Sequence, residues 1–142
     1  MAYGSNMNIQ RMRDRGMQFE NAEGVKIPGY RLVFNKISPA HPGESHANLV
    51  EDTKATAEGV LYRLLSTTEI SRMDPYENVP INYQRKILSL PKVPKCWVYF
   101  ANEEVCSDGL RPSREYMYHL LQGRSFISND YYNHLIAVDC LD

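Results

Sequence analysis

The sequence lacks the patterns that mark most cofactor and metal sites. Its three cysteines have no Cys-x-x-Cys spacing and its four histidines lie far apart, so neither a disulfide framework nor a zinc site is predicted. A P-loop, a His-Glu-x-x-His motif and a Gly-x-Ser-x-Gly nucleophile motif are also absent. We therefore expect no cofactor, no metal, and reduced cysteines in a cytoplasmic protein.

The sequence has neither a long apolar run nor a large excess of charge of one sign. No segment approaches the ~20 apolar residues of a membrane span, and no signal peptide is recognisable at the N-terminus. The formal net charge of -1 argues weakly against general nucleic-acid binding, which usually needs a basic surface. We expect neither a membrane nor a nucleic acid as a partner, and we leave a homodimer open.

The composition that remains is that of a single globular domain over residues 1–142. Hydrophobic residues make up 43% of the chain and charged residues 23%, which is enough apolar material for a core. Tyrosine is in excess, with 10 residues. Its large ring and polar tip suit the wall of a pocket for a polar ligand, although packing in the core or at an interface is an equally ordinary use.

The residue patterns predict strands in the middle of the chain and short helices around them. Alternating polarity predicts the strands YRLVFNKIS, HANLVED, EGVLYRLL, YQRKILSL and CWVYFAN. A turn is predicted at PG (28–29), and TKATA (53–57) lies between the second and third strands. Helices are predicted over 9–15, ending at Gly16, over 67–74, after a capping box of Ser66 and Glu69, and after Ser113 and after Ser128 or Asp130. The pattern indicates an α+β fold, a small mixed β-barrel with short helices packed around it.

The first candidate site is the stretch Tyr3, Gly4, Ser5 and Asn6. Glycine has no Cβ, so a ligand can approach the backbone closely at Gly4. Exposed N–H groups just before a helix bind carboxylates and phosphates. The alternative is a plain Asn-containing turn that follows an edge strand.

The second candidate site is the acidic turn MDPYENVP. Asp74 and Glu77 lie where the predicted helix ends, among apolar neighbours such as Met73 and Val79. A carboxylate that faces a partly apolar cavity has a raised pKa, which suits a base working near neutral pH. The alternative is a solvated acidic turn. Asn78, which follows Glu77, belongs to a residue type that tolerates the left-handed region.

These motifs together resemble the gamma-glutamylcyclotransferase-like family, also called AIG2-like. Six segments match the family's motifs in order across residues 2–123. They are AYGSNM with RMRDR, PGYRLVFNKIS, HANLVED with EGVLYRL, MDPYENVP, WVYFAN, and RPSREYMYHLLQG.

The resemblance implies a gamma-glutamylcyclotransferase-like fold and a small γ-glutamyl substrate whose α-amino group attacks its own γ-carbonyl. The products are 5-oxoproline and an amino acid or amine. The family's catalytic glutamate falls on Glu77. Its substrate-binding positions fall on Tyr3, Gly4, Ser5, Asn6, Tyr83 and Tyr116. The alternative is a non-catalytic small-molecule or peptide-binding module of the same fold, and the presence of Glu77 favours the enzyme.

Two positions depart from the family pattern. Only Met1 and Ala2 precede Tyr3, where the family has two or three apolar residues, so either the first strand is short or the sequence lacks residues upstream. The family's glycine after the glutamate is Asn78 here. Because Asn is the usual substitute at a positive φ, we expect the turn to survive.

Overall fold

A computed structural model describes residues 1–142, which form four strands and three α-helices. The strands are β1 (Phe19–Ile37), β2 (Ser45–Leu64), β3 (Tyr83–Leu90) and β4 (Val93–Ala101). The helices are α1 (Ile9–Asp14), α2 (Arg114–Leu121) and α3 (Asn129–Ile136). Single turns of 3-10 helix lie at Ser5–Met7, Glu69–Arg72, Glu103–Val105 and Arg124–Phe126.

The α+β class is confirmed, but the expected mixed barrel is wrong in detail. The strands form two separate two-stranded sheets, β1 with β2 and β3 with β4, and both pairs are antiparallel. Side chains rather than a backbone ladder connect the sheets. For example, the Asn48 Oδ1 atom of β2 accepts a hydrogen bond from the Ala101 N–H of β4 at 2.9 Å. Because strand pairing does not continue from one sheet to the other, the barrel is not closed.

The predicted turn at Pro28-Gly29 and the predicted break between strands at TKATA (53–57) both lie inside the long strands of the first sheet. Gly29 has φ 84 and lies at a register shift between Pro28 and Tyr30, where the partner residue moves from Thr56 to Glu51. A glycine at positive φ in a strand makes a bulge, which bends the ladder without ending it. On the partner strand, residues 52–55 are skipped by this change of register, but the strand continues through them, so the two predicted strands of this region are one strand, β2.

The predicted helix over 67–74 is only the 3-10 turn Glu69–Arg72, and its capping box does not form. The Ser66 hydroxyl hydrogen-bonds to Thr68 at 2.9 Å instead of capping the turn. The Glu69 carboxylate turns inward, where it accepts from the Gln18 N–H at 2.9 Å and is almost fully buried. The Glu69 carboxylate therefore binds Gln18, which is distant in sequence, instead of completing the local capping box.

The other predicted helices formed as expected. Gly16, at φ 77, follows the end of α1. The Ser113 Oγ atom caps α2 by accepting from the Tyr116 N–H. Ser128, not Asp130, caps α3 by accepting from the Tyr131 N–H.

The first three residues lie between the two sheets and bond to both. The Met1 nitrogen donates to the Trp97 carbonyl at 2.8 Å, and the Tyr3 hydroxyl donates to the Tyr99 carbonyl at 2.6 Å, both on β4. Ala2 exchanges two backbone hydrogen bonds of 2.8 Å with Val60 of β2. These bonds hold the start of the chain, and with it the stretch Tyr3–Asn6, at the junction of the sheets.

Candidate active site

All seven residues predicted for the site line one cavity of about 730 Å³. The sequence separates them by more than a hundred positions, and the fold brings them together. They come from the N-terminal stretch, the acidic turn, the start of β3 and the helix α2: Tyr3, Gly4, Ser5, Asn6, Glu77, Tyr83 and Tyr116.

The two carboxylates of the acidic turn have different surroundings. Asp74 accepts hydrogen bonds from the Tyr99 hydroxyl at 2.6 Å and from the Arg85 guanidinium at 3.1 Å, so its oxygens are already engaged. Glu77 receives a single hydrogen bond, from the Asn6 Nδ2 atom at 3.2 Å, and lines the cavity. Glu77 is therefore the carboxylate that remains available to a ligand.

The turn that carries Glu77 depends on Asn78, which has φ 48. This is the left-handed conformation expected for the position where the family has glycine. The Asn78 carbonyl accepts from the Asn82 N–H at 2.8 Å, and the Val79 N–H donates to the Asp74 carbonyl at 3.1 Å. These bonds close the turn and direct Glu77 into the cavity.

Asn6 fixes the position of the Glu77 carboxylate. Its Nδ2 atom donates to Glu77, and its Oδ1 atom accepts from the Arg15 guanidinium at 3.0 Å, which fixes the orientation of the amide. Its carbonyl accepts from the buried Tyr62 hydroxyl at 2.6 Å. Asn6 thus stands between Arg15 and Glu77, so the two charges do not form a direct ion pair.

The surroundings of Glu77 favour its protonated form more than water does. Burial raises the pKa of its carboxyl above the ordinary value, while the charges of Arg15, Arg11 and Lys36 and the hydrogen bond from Asn6 oppose that rise. A carboxyl with a raised pKa exchanges protons nearer to neutral pH. The arrangement suits a group that takes up and returns a proton.

The backbone at Gly4 has φ -113, a value that any residue can adopt. Glycine is needed here because other groups approach its Cα closely. A Cβ at Gly4 would lie 3.0 Å from the Tyr116 hydroxyl and 3.2 Å from the Ala47 Cβ. The Gly4 and Asn6 N–H groups donate to no protein acceptor, and the Ser5 N–H lies against the Tyr116 hydroxyl. Unpaired N–H groups at the start of a helical turn form an anion site.

The hydroxyls of Tyr83 and Tyr116 both bind the peptide groups of Ala47. The Tyr116 oxygen accepts from the Ala47 N–H at 3.0 Å, and the Tyr83 hydroxyl donates to the Ala47 carbonyl at 2.9 Å. A backbone N–H only donates and a carbonyl only accepts, so these directions are fixed. Tyr116 therefore keeps its own proton to donate to a ligand, whereas Tyr83 keeps an oxygen that accepts.

The pKa values of both phenols keep them protonated. Burial raises the pKa of Tyr116 to about 12 and that of Tyr83 well above its ordinary value. His46 stacks on the Tyr116 ring with centroids 4.6 Å apart and an interplanar angle of 13°. Burial, reinforced by the charge of Lys36, lowers the pKa of His46 to about 4, so the imidazole is neutral near pH 7.

Six basic residues that were not predicted also line the cavity: Arg11, Arg15, Lys36, His46, Arg63 and Lys95. For three of them, Arg11, Arg15 and Lys36, the sequence pattern indicates a position on a shared or apolar face. Arg11 and Arg15 are four positions apart at the start and end of a predicted helix, which places them on one face. Lys36 continues the alternate positions of Leu32 and Phe34, so it puts a charge on the apolar face of a strand.

No group of three His, Cys, Asp or Glu side chains is arranged to hold a metal ion. None of the helices is both long enough and apolar enough to cross a membrane. The cysteines Cys96, Cys106 and Cys140 form no disulfide.

Comparison with solved structures defines the class of fold. A structure titled "Gamma-glutamyl cyclotransferase" superposes with a TM-score of 0.79 at 18% identity, covering 99% of this chain and 87% of that one. An uncharacterized protein from Homo sapiens gives the same TM-score, identity and coverage. YkqA from Bacillus subtilis gives a TM-score of 0.81 at 21% identity, and the match covers 98% of this chain but 54% of YkqA. A comparison with curated proteins finds no match.

The sequence itself identifies the family. Residues 1–119 match the family described as "Gamma-glutamyl cyclotransferase, AIG2-like". The chain belongs to this family, and the resemblance drawn from its motifs is confirmed.

Proposed function

We propose that the protein is a γ-glutamyl cyclotransferase that converts a γ-glutamyl amide into 5-oxoproline and a free amine. The observation that carries the proposal is Glu77, a carboxyl whose pKa is raised by burial and which lines the same cavity as the unpaired N–H groups of Gly4 and Asn6. A proton-transfer group and an anion site in one cavity are what this cyclisation requires.

The α-carboxylate of the substrate binds at the N-terminal stretch. The N–H groups of Gly4 and Asn6 have no protein acceptor, and Tyr116 has a hydroxyl proton to donate. Hydrogen bonds of this kind to a carboxylate are shorter and stronger than neutral ones. The α-ammonium group then lies toward acceptors, namely the Tyr83 oxygen and the Glu77 carboxylate.

The reaction transfers two protons from the α-nitrogen to the leaving nitrogen. Glu77 takes one proton from the α-ammonium group, and the freed amine attacks the γ-carbonyl carbon. The attacking nitrogen loses a second proton as the carbon–nitrogen bond to the leaving amine breaks. Glu77 returns protons to the leaving nitrogen, so the amine departs protonated and the enzyme ends as it began. Such proton transfer typically contributes ~10² to 10⁴-fold to the rate.

This reaction needs no nucleophile from the protein, because the attacking group belongs to the substrate. Well-oriented intramolecular reactions reach effective molarities of about 10⁵ to 10⁸ M, so holding the substrate in a folded conformation supplies much of the acceleration. The hydroxyls of Tyr83 and Tyr116 are held by Ala47 and offer fixed hydrogen-bonding groups for that purpose. The free cysteines fit a reducing compartment, and we propose that the protein acts in the cytoplasm.

The direct test is incubation with a panel of γ-glutamyl amino acids and γ-glutamyl amines, followed by detection of 5-oxoproline by mass spectrometry. The proposal expects 5-oxoproline and the free amine in equal amounts. Binding of the panel compounds without turnover would instead favour a binding module of the same fold. Free glutamate in place of 5-oxoproline would indicate hydrolysis and would contradict the mechanism.

A further inference from the structure

The charged lining of the cavity is unbalanced. Glu77 is the only acidic side chain that lines it, whereas Arg11, Arg15 and Lys36 lie close enough to lower the pKa of Glu77 by their charges. Glu44, the acid whose charge acts on His46, does not line the cavity. The cavity therefore carries an excess of positive charge.

Lys36 is the least explained of these cations. It is 3% exposed, yet its ammonium group makes no hydrogen bond and no ion pair with the protein. Its Nζ atom lies over the Tyr83 ring, 5.9 Å from the ring centroid. The side chain as a whole is buried, but its Nζ atom keeps exposed surface in the cavity. A charge that is partly removed from water is normally paired. The missing partner is expected to come from a ligand in the cavity.

The glutamyl part of the substrate does not supply that partner. The charges of its α-ammonium and α-carboxylate groups cancel, and the α-carboxylate is already bound by the Gly4 and Asn6 N–H groups in the proposed mode. Arg15 is occupied by Asn6 and by the Tyr76 ring, 4.8 Å from its guanidinium carbon. Lys36 and Arg11, whose buried Nε has no acceptor, are left without a negative partner.

We propose that Lys36 is a specificity-determining residue that binds a carboxylate on the leaving group. This inference rests on the proposed function. It assigns γ-glutamyl amino acids and peptides, rather than γ-glutamyl alkylamines, as the substrate class. A carboxylate on the leaving group would complement the excess positive charge of the cavity. Complementary charges allow a site to discriminate between ligands that are otherwise alike.

The test compares γ-glutamyl-alanine with γ-glutamyl-alaninamide, which differ by one negative charge at nearly constant size. Wild-type protein is expected to show a kcat/KM about 10- to 100-fold higher for the acid, the range of one hydrogen bond between charged groups. Lys36→Met should remove most of that preference by raising KM for the acid. Because Lys36 also opposes the raised pKa of Glu77, kcat/KM for the amide should change as well, so the ratio of the two substrates is the readout and circular dichroism shows that the variant is folded.

Two further variants complete the comparison. Lys36→Arg keeps the charge and should retain most of the preference for the acid. Lys26→Met, at an exposed position of the same strand, should change neither substrate. Equal use of the two compounds by wild type, or an equal loss for both in Lys36→Met, would overturn the assignment while leaving the cyclotransferase activity in place. Absence of 5-oxoproline from both compounds would overturn the proposed function, and this inference with it.

Discussion

At the residue scale, the chain uses two neighbouring carboxylates in different ways. The oxygens of Asp74 are taken by Tyr99 and Arg85, so this side chain braces the turn. Glu77 faces the cavity with one hydrogen bond from Asn6. Both residues belong to one sequence motif. Only the contacts from β3 and β4 show that Asp74 stabilises the turn and that Glu77 is the candidate base.

Glu77→Gln should abolish turnover while the fold remains. The amide is nearly isosteric with the carboxyl but cannot carry protons, so we expect kcat to fall by at least ~10²-fold. The measurement is the rate of 5-oxoproline formation, with circular dichroism as the check on folding. Asp74→Asn serves as the comparison within the same turn, and its main effect should be on stability. If Glu77→Gln kept more than about a tenth of the wild-type kcat, Glu77 would not be the base.

Glu77→Gln should also change how stability depends on pH. Since the folded pKa of Glu77 is raised above the unfolded value of 4.5, the folded state binds this proton more tightly than the unfolded state. The stability that Glu77 contributes is fully present below the unfolded pKa and is lost as pH rises through the folded pKa. The variant should therefore gain Tm relative to wild type at pH 8 and gain less at pH 4. A larger gain at pH 4 would show that Arg15 and its neighbours outweigh burial.

Gly4→Val should weaken ligand binding more than folding. A branched side chain would meet the Tyr116 hydroxyl and Ala47 and would crowd the N–H groups proposed to bind the carboxylate. Each charge-assisted hydrogen bond lost there is worth roughly 1.5 to 3 kcal/mol. Calorimetric titration with a γ-glutamyl ligand measures the loss of affinity. Comparing Tyr116→Phe with the double variant Tyr116→Phe/Gly4→Val shows how much of that loss depends on the Tyr116 hydroxyl. A folded Gly4→Val protein with wild-type affinity would place the anion site elsewhere.

At the scale of the elements, the acidic turn depends on one left-handed residue. Asn78→Val should destabilise the protein by about 1–2 kcal/mol, the cost of a left-handed conformation for an ordinary residue. Asn78→Gly should stay within about 0.5 kcal/mol of wild type, because glycine adopts this conformation freely. Urea denaturation of the two variants measures the difference. Equal stabilities would mean that the turn relaxes without cost.

Elements with a local signal at their ends were predictable from the sequence. The cap at Ser113, the cap at Ser128 and the stop at Gly16 act within a few residues, so short patterns were enough to place α2, α3 and α1. Pro28-Gly29 carries the same local signal as a turn, yet it bends a strand. The long partner strand β2 decides between these outcomes, and that information is not local.

The candidate site was predictable where its residues form motifs, and not where single residues complete it. The N-terminal stretch and the acidic turn were recognised through their resemblance to the family, and the structure places both in one cavity. Lys36 and Arg11 belong to no recognised motif. Their position at the cavity follows from how β1 and α1 lie against the rest of the chain, which no short pattern encodes.

At the scale of the whole molecule, the candidate site lies at the junction of two sheets that share no backbone ladder. Met1 and Tyr3 bond to β4, while Ala2 bonds to β2. The start of the chain therefore links the two halves of the fold and also presents the proposed carboxylate site. Loss of this link should affect stability and ligand binding together.

Gly59→Ala tests that link. A Cβ at Gly59 would overlap the carbonyl of Ala2, so the N-terminal stretch must move away from β2. We expect a loss of stability of about 1–3 kcal/mol, as for other overpacked positions, together with weaker binding of a γ-glutamyl ligand. Thr56→Ala, at an exposed position of the same strand, is the control and should alter neither. Unchanged binding in Gly59→Ala would show that the site does not need this docking.

Ala47 has no partner in the ladder between β1 and β2, because it lies at a register shift. Its N–H is bonded to Tyr116 of α2 and its carbonyl to Tyr83 of β3, so this one residue of β2 is bonded to two other elements. The amide proton of Ala47 can exchange with solvent deuterium only when α2 moves away from it. Its exchange rate therefore reports how often the wall of the cavity opens, and a bound ligand that holds Tyr116 in place should slow that exchange.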